Sequence, residues 1–179
     1  MRTFLAVEVP EATRKKIDDF VQLEAKRELP IKWVKFGNLH ITLKFIGEID
    51  EEKKIEISPV IKEIGNKYKP FQVQLSGIGC FPHPRNPRVL WVGVEQGNDT
   101  LCALSADIEK ALAGFGFKEE KRFHPHVTIG RIKKSCKVDH VLEKNIITDP
   151  FDVSAIVLFK SVLKPEGPIY TVLEHFPFS

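Results

Sequence analysis

The chain has 179 residues, 42% of them hydrophobic, and a formal net charge of +3 at pH 7. That length suits one domain, or two small lobes sharing a core, and a charge so near balance excludes a whole-chain polyanion binder. Cys80, Cys102 and Cys136 are scattered without a CxxC spacing, which predicts neither a disulfide framework nor a zinc site. Glu8 breaks the opening apolar stretch too early for a signal peptide, and no apolar run reaches the length of a membrane span, so a soluble cytoplasmic protein is expected.

In chain order, residues 3–9 read as a strand and 11–27 as a helix started by Pro10. A short strand over 31–34 leads to a longer one beginning at His40. A helix over 50–65 follows, with Glu51, Glu52, Lys53 and Lys54 on its exposed side. Residues 71–75 alternate as a strand, 79–87 form a proline-rich loop, and 88–94 make a second β-run. Asn98 or Asp99 caps a helix that runs to Ala113 and stops at Gly114. After a strand beginning at His126 come a short helix over 139–143 and strands over 151–160 and 169–175, the last two joined by a turn at 164–168.

Two tripeptides stand out: His40-Ile41-Thr42 and His126-Val127-Thr128. Six His and seven Thr in this length predict about 0.2 His-x-Thr matches by chance, against two observed. Side chains alternate along a strand, so each copy sets an imidazole and a hydroxyl on one face with an apolar anchor behind. Two such units facing one another would supply two proton-transfer groups and two hydroxyl donors, which is equipment for phosphate chemistry. The plain alternative is two ordinary strands whose histidines are satisfied by hydrogen bonds.

The copies lie 86 residues apart, each after a strand and helix and before further helix and strand. This spacing suggests an α+β protein of two pseudo-equivalent lobes, each offering one motif strand to a central groove, with residues 1–179 as one domain. Residues 118–137 hold seven Lys or Arg against two Glu, a local charge of +5 around the second motif. That stretch is either a solvated face or a basic rim drawing in a polyanion.

Other candidates are weaker. His124 precedes His126 by two residues, but no carboxylate or Cys cluster completes a metal-ligand set. Strict alternation puts Arg131 on the face of Val127 and Ile129, so it needs a bulge at Gly130, or the strand end, to reach a phosphate. His83 and Arg85 belong to the cleft mouth or the plain surface. Tyr170 and Phe81 could stack on a base, with a core or edge role as the default. His140 and His175 have no constellation around them.

The two motifs, with Arg131 close behind, resemble the paired signature of the two-histidine phosphoesterase superfamily. The context is similar to the LigT-like RNA 2',3'-cyclic phosphodiesterases, also called 2'-5' RNA ligases: RTFLAV at 2–7, LHITLKFIG at 39–47, PRVLWVGV at 87–94, FHPHVTIGR at 123–131 and SVLKPEGPIY at 161–170. The resemblance implies a bilobal α+β fold of antiparallel sheets facing a central cleft, with helices outside. It further implies opening of 2',3'-cyclic phosphate RNA ends to 2'-phosphates without a metal or other cofactor, and ATP-independent joining of ends through a 2'-5' link. His40 would be the proton donor, His126 the proton acceptor, and Thr42, Thr128 and Arg131 would hold phosphate. The partner would be RNA with cyclic phosphate ends, tRNA halves among the candidates, with no membrane and no obligatory protein partner. A related enzyme of small cyclic nucleotides and an RNA-end binding module with little turnover are the alternatives.

Overall fold

The computed structural model describes residues 1–120 and 122–179; Lys121, part of the basic stretch, lies outside them. It is an α+β protein with helices α1 (Glu11–Ala25), α2 (Glu51–Gly65), α3 (Asn98–Ala113) and α4 (Asp139–Leu142). The strands are β1 (Arg2–Glu8), β2 (Ile31–Trp33), β3 (His40–Glu48), β4 (Phe71–Val73), β5 (Leu75–Phe81), β6 (Val89–Val94), β7 (His126–Ile132), β8 (Phe151–Val153), β9 (Ala155–Val162) and β10 (Ile169–Pro177). Eight of them form one sheet in the order β10-β9-β1-β3-β7-β6-β5, with β2 also paired to β7, while β4 and β8 form a separate ribbon. The pairings in both are antiparallel.

One face of the large sheet is the core. Leu5, Val7, Ile41, Leu90, Val92, Val127, Ile129, Ile156 and Leu158 are buried there. The helices cover it with apolar stripes at helical spacing: Ile17 and Val21 on α1, Ile57, Ile61 and Ile64 on α2, and Leu101, Leu104, Ile108 and Leu112 on α3. Helices α2 and α3 pack on each other and against β3, β9 and β10. Helix α1 crosses to the other half, where Glu24, buried at its C-terminal end, pairs with Lys144 and Arg27. With every helix on the core side, the opposite face of the sheet stays open.

Three local expectations change. Residues 75–81 form strand β5, although 79–81 read as the start of the proline-rich loop. Trp91 explains Gly79: a Cβ added at that position would lie 2.2 Å from the indole, so only glycine lets the ring cross the strand. The run expected over 151–160 breaks at Ser154, one part pairing with β4 and the other with β1 and β10. Helix α3 is capped by Gly97, at φ 84°, and Asn98 and Asp99 fall in its first turn. Helix α2 starts as expected, with the Asp50 carboxylate accepting from the Lys53 N–H at 2.8 Å.

Among the described residues, no helix is long and apolar enough to cross a membrane.

Candidate functional site

The two motif strands are direct neighbours. Strands β3 and β7 pair at Ile41 and Val127, both fully buried. Antiparallel geometry then sets His40 beside Thr128 and Thr42 beside His126, all four turned to the open face. His40 and His126 occupy a diagonal of this lattice, a relationship that spans roughly 7–8 Å between Cα atoms.

Beyond each threonine the strand bulges. Opposite β6, the partners step from Thr128 to Gly130 while Trp91 steps to Leu90, leaving Ile129 extra. Opposite β1, they step from Thr42 to Lys44 while Ala6 steps to Leu5, leaving Leu43 extra. A bulge resets the alternation, so both strands read half-buried, buried, half-buried, buried, buried, exposed from their histidine. Arg131 therefore ends on the open face, through a bulge whose extra residue is Ile129 and not Gly130. Burial raises the Tyr170 pKa, opposed by the charges of Arg131 and Arg2, and the Arg131 charge also adds to the burial that disfavours protonation of His126, so both groups lie within its electrostatic reach. The matching position on β3 is Phe45, 58% exposed.

The β3 bulge also turns Lys44 into the core. A buried ammonium needs partners. Lys44 Nζ donates to Glu109 Oε2 at 2.5 Å and to the Lys118 carbonyl at 2.9 Å, while the Glu120 N–H donates to the same Glu109 oxygen at 3.0 Å. One ion pair thus ties β3 and α3 to the segment that leads into β7.

Each catalytic candidate is oriented by the main chain two residues before it. His40 Nδ1 lies 2.6 Å from the Asn38 carbonyl, and His126 Nδ1 lies 2.6 Å from the His124 carbonyl. A carbonyl only accepts, so Nδ1 carries the hydrogen in both rings and Nε2 is left for chemistry. His40 Nε2 is 2.9 Å from the Thr42 hydroxyl, which donates to it while the ring is neutral. Asn38 is itself anchored, its Nδ2 donating to the Pro168 carbonyl at 2.8 Å.

Aromatic rings wall both imidazoles. Phe4 and Tyr170 lie 4.9 and 5.3 Å from His40, and Phe159 stacks on Phe4. Phe81 lies 5.2 Å from His126, while Trp91 lies 4.7 Å from His124. Tyr170 and Phe81 thus belong to the site. Phe4, Phe159 and Trp91 were not legible as site residues, because only the pairing of their strands with β3 and β7 brings them there. Burial lowers the His40 pKa to about 4, aided by the charge His126 would carry and opposed by the Asn38 hydrogen bond. Burial likewise lowers that of His126, aided by His124 and Arg131 and opposed by the bond to the His124 carbonyl. In the free protein both imidazoles are therefore neutral at neutral pH.

The remaining candidates lie apart from this chemistry. His83 and Arg85 are exposed, the Arg85 N–H donating to His83 Nδ1 at 3.1 Å. His140 sits 3.8 Å from buried Glu24, and His175 sits 3.4 Å from Glu8. Among the described residues, no group of three or more His, Cys, Asp or Glu is arranged to hold a metal ion. A hollow of about 780 Å3 between Glu48, Lys53 and Phe117 has no histidine in its lining. A smaller recess of about 240 Å3 abuts His40 on the side away from His126 and is lined by Glu8, Arg14, Phe159 and Tyr170.

Paired imidazoles with paired hydroxyls on one sheet face define a phosphoesterase-type site. The profile of the 2'-5' RNA ligase superfamily matches residues 9–163, and the chain belongs to that superfamily. It is 38% identical to a Methanocaldococcus jannaschii protein named RNA 2',3'-cyclic phosphodiesterase, over 98% of this chain and 100% of that one. It is 35% identical to a Methanothermobacter thermautotrophicus protein of the same name, over 98% of each. Its fold matches a crystal structure of a Thermus thermophilus protein with TM-score 0.82 at 28% identity, covering 99% of this chain and 98% of that one. Escherichia coli LigT complexed with ATP matches with TM-score 0.76 at 23% identity, over 99% and 98%, a likeness of fold.

Proposed function

We propose that this chain is an RNA 2',3'-cyclic phosphodiesterase that opens cyclic phosphate ends to 2'-phosphates, with residues 1–179 acting as one unit. The observation that carries this reading is the matched pair of imidazoles, each with Nδ1 held by a carbonyl, on adjacent strands of one face. The names of the relatives supply the substrate class.

In-line displacement sets the entering and leaving oxygens on opposite sides of phosphorus. His126 Nε2 takes a proton from water as its oxygen bonds to phosphorus. The P–O3' bond breaks, and His40 Nε2–H gives its proton to O3', leaving a 2'-phosphate and a free 3'-hydroxyl. Thr42, Thr128 and Arg131 donate to the non-bridging oxygens where charge grows. His40 must be protonated for this, and the phosphate provides the means: its negative charge offsets the burial that keeps the pair neutral in the free protein. Joining of ends places a 5'-hydroxyl where water stands and draws on the cyclic diester for energy, without ATP. Breaking that 2'-5' link runs with the roles of the imidazoles exchanged.

The test is product analysis on RNA ending in a 2',3'-cyclic phosphate, with cyclic mononucleotides alongside. A 2'-phosphate product from RNA is expected. A 3'-phosphate product reverses the assignment of the leaving oxygen. Turnover of mononucleotides alone favours the small-nucleotide reading, and stoichiometric protection of ends without product favours a binding module.

A further inference from the structure

The recess beside His40 has a chemistry of its own. At about 240 Å3 it falls below the ~300–1,000 Å3 of pockets that enclose drug-sized ligands, so it suits a single ring system. Its walls include Glu8, Arg14, His40, Phe159, Tyr170 and Val172. Two aromatic rings and an aliphatic side chain thus meet two groups of opposite charge.

Its position follows from the proton donor. If His40 protonates O3', the ribose bearing the cyclic phosphate lies on the His40 side of phosphorus. The base attached to that ribose is then the part of the substrate closest to the recess.

The polar walls suit a particular base. The Arg14 guanidinium carbon is 4.6 Å from the centre of the Phe36 ring, which pins the group. Held there, Arg14 forms part of the recess wall and offers the N–H donors of its guanidinium to an acceptor. Glu8 is the Cα partner of His40 and offers a carboxylate, with His175 Nε2 3.4 Å away. That carboxylate disfavours a phosphate in the recess and favours N–H donors. Guanine alone presents adjacent N1–H and N2–H donors to a carboxylate together with O6 and N7 acceptors to a guanidinium. Adenine and cytosine set a ring acceptor beside the amino group, and uracil flanks its single N–H with carbonyls; each turns a lone pair toward the carboxylate.

We propose that the recess is a base-reading subsite in which Glu8 and Arg14 select RNA ends that terminate in guanosine 2',3'-cyclic phosphate. This rests on the cyclic phosphodiesterase reading and on His40 as the donor to O3'.

The test is kcat/KM of the full chain on short RNAs identical except for the terminal nucleoside 2',3'-cyclic phosphate. A bidentate base contact discriminates by ~1–3 kcal/mol, a factor of roughly 5–150, so guanosine ends should lead the other three by about tenfold or more. E8Q and R14K should each shrink the guanosine-to-adenosine ratio at least about fivefold, a readout that a general loss of fold would not move. Equal turnover of all four ends, or an unchanged ratio in both variants, overturns the subsite and leaves the phosphodiesterase reading standing. No turnover of any end removes that reading and the subsite with it.

Discussion

Ile41 and Val127 face each other as Cα partners across the β3–β7 seam, and an approximate twofold axis passes between them. About that axis His40 answers His126, Thr42 answers Thr128, the bulge at Leu43 answers the bulge at Ile129, and Phe45 answers Arg131. The two buried side chains fix the distance and facing of the four polar ones. The departure from symmetry at Phe45 and Arg131 gives one half an apolar surface and the other a charge.

His40→Ala and His126→Ala should each lower kcat by about 10²-fold or more, the usual contribution of a general acid or base. Because the pair acts as a unit, the double variant should be little worse than the worse single. Near-native turnover in either single variant, measured on cyclic-phosphate-ended RNA, would sink the assignment.

Folding stability should depend on pH through His40. Its folded pKa of about 4 lies below the ordinary histidine value of 6.5, so the unfolded chain takes up a proton first as pH falls. The contribution is fully present above pH 6.5 and lost as pH falls through 4, to a total of about 3 kcal/mol. Denaturant titrations at about pH 7 and about pH 4.5 should show a smaller loss in His40→Ala than in the native chain. An equal loss contradicts the burial argument.

Activity should survive exhaustive chelation, because the imidazoles and hydroxyls of the site carry out proton transfer and charge stabilisation themselves. Turnover assayed with EDTA, then with added zinc or manganese, tests this. A loss that either metal restores would make His124 a candidate ligand and overturn the metal-free mechanism.

The Lys44–Glu109 pair should be costly to break and cheap to replace. Glu109→Gln or Lys44→Met leaves a buried charge alone, which costs about 3–5 kcal/mol. A double variant with apolar residues at both positions should recover most of that loss. If the single variants unfold at native denaturant concentrations, the pair is not the tie between β3 and the segment leading into β7.

The structural setting of the motifs was legible because alternation is local. A strand with period two must put His40 with Thr42 and His126 with Thr128, and must bury Ile41 and Val127. The need for a bulge before Arg131 could be read in the same way. Strand β5 could not, since Gly77 and Gly79 carry no β signal and Gly79 is explained by a ring from another strand. The aromatic walls were hidden for a related reason: Phe4, Phe159 and Trp91 are ordinary strand residues until register brings them to the histidines.

The sequence by itself therefore determined the α+β character and the two imidazole–hydroxyl units. Tertiary structure decided that the units sit side by side on one sheet, with Nδ1 of each ring held by a carbonyl and with a recess beside His40. Covalent spacing sets what a strand presents to each face. Which strands become neighbours depends on hydrogen bonding and burial between segments 86 residues apart, and no local pattern encodes that.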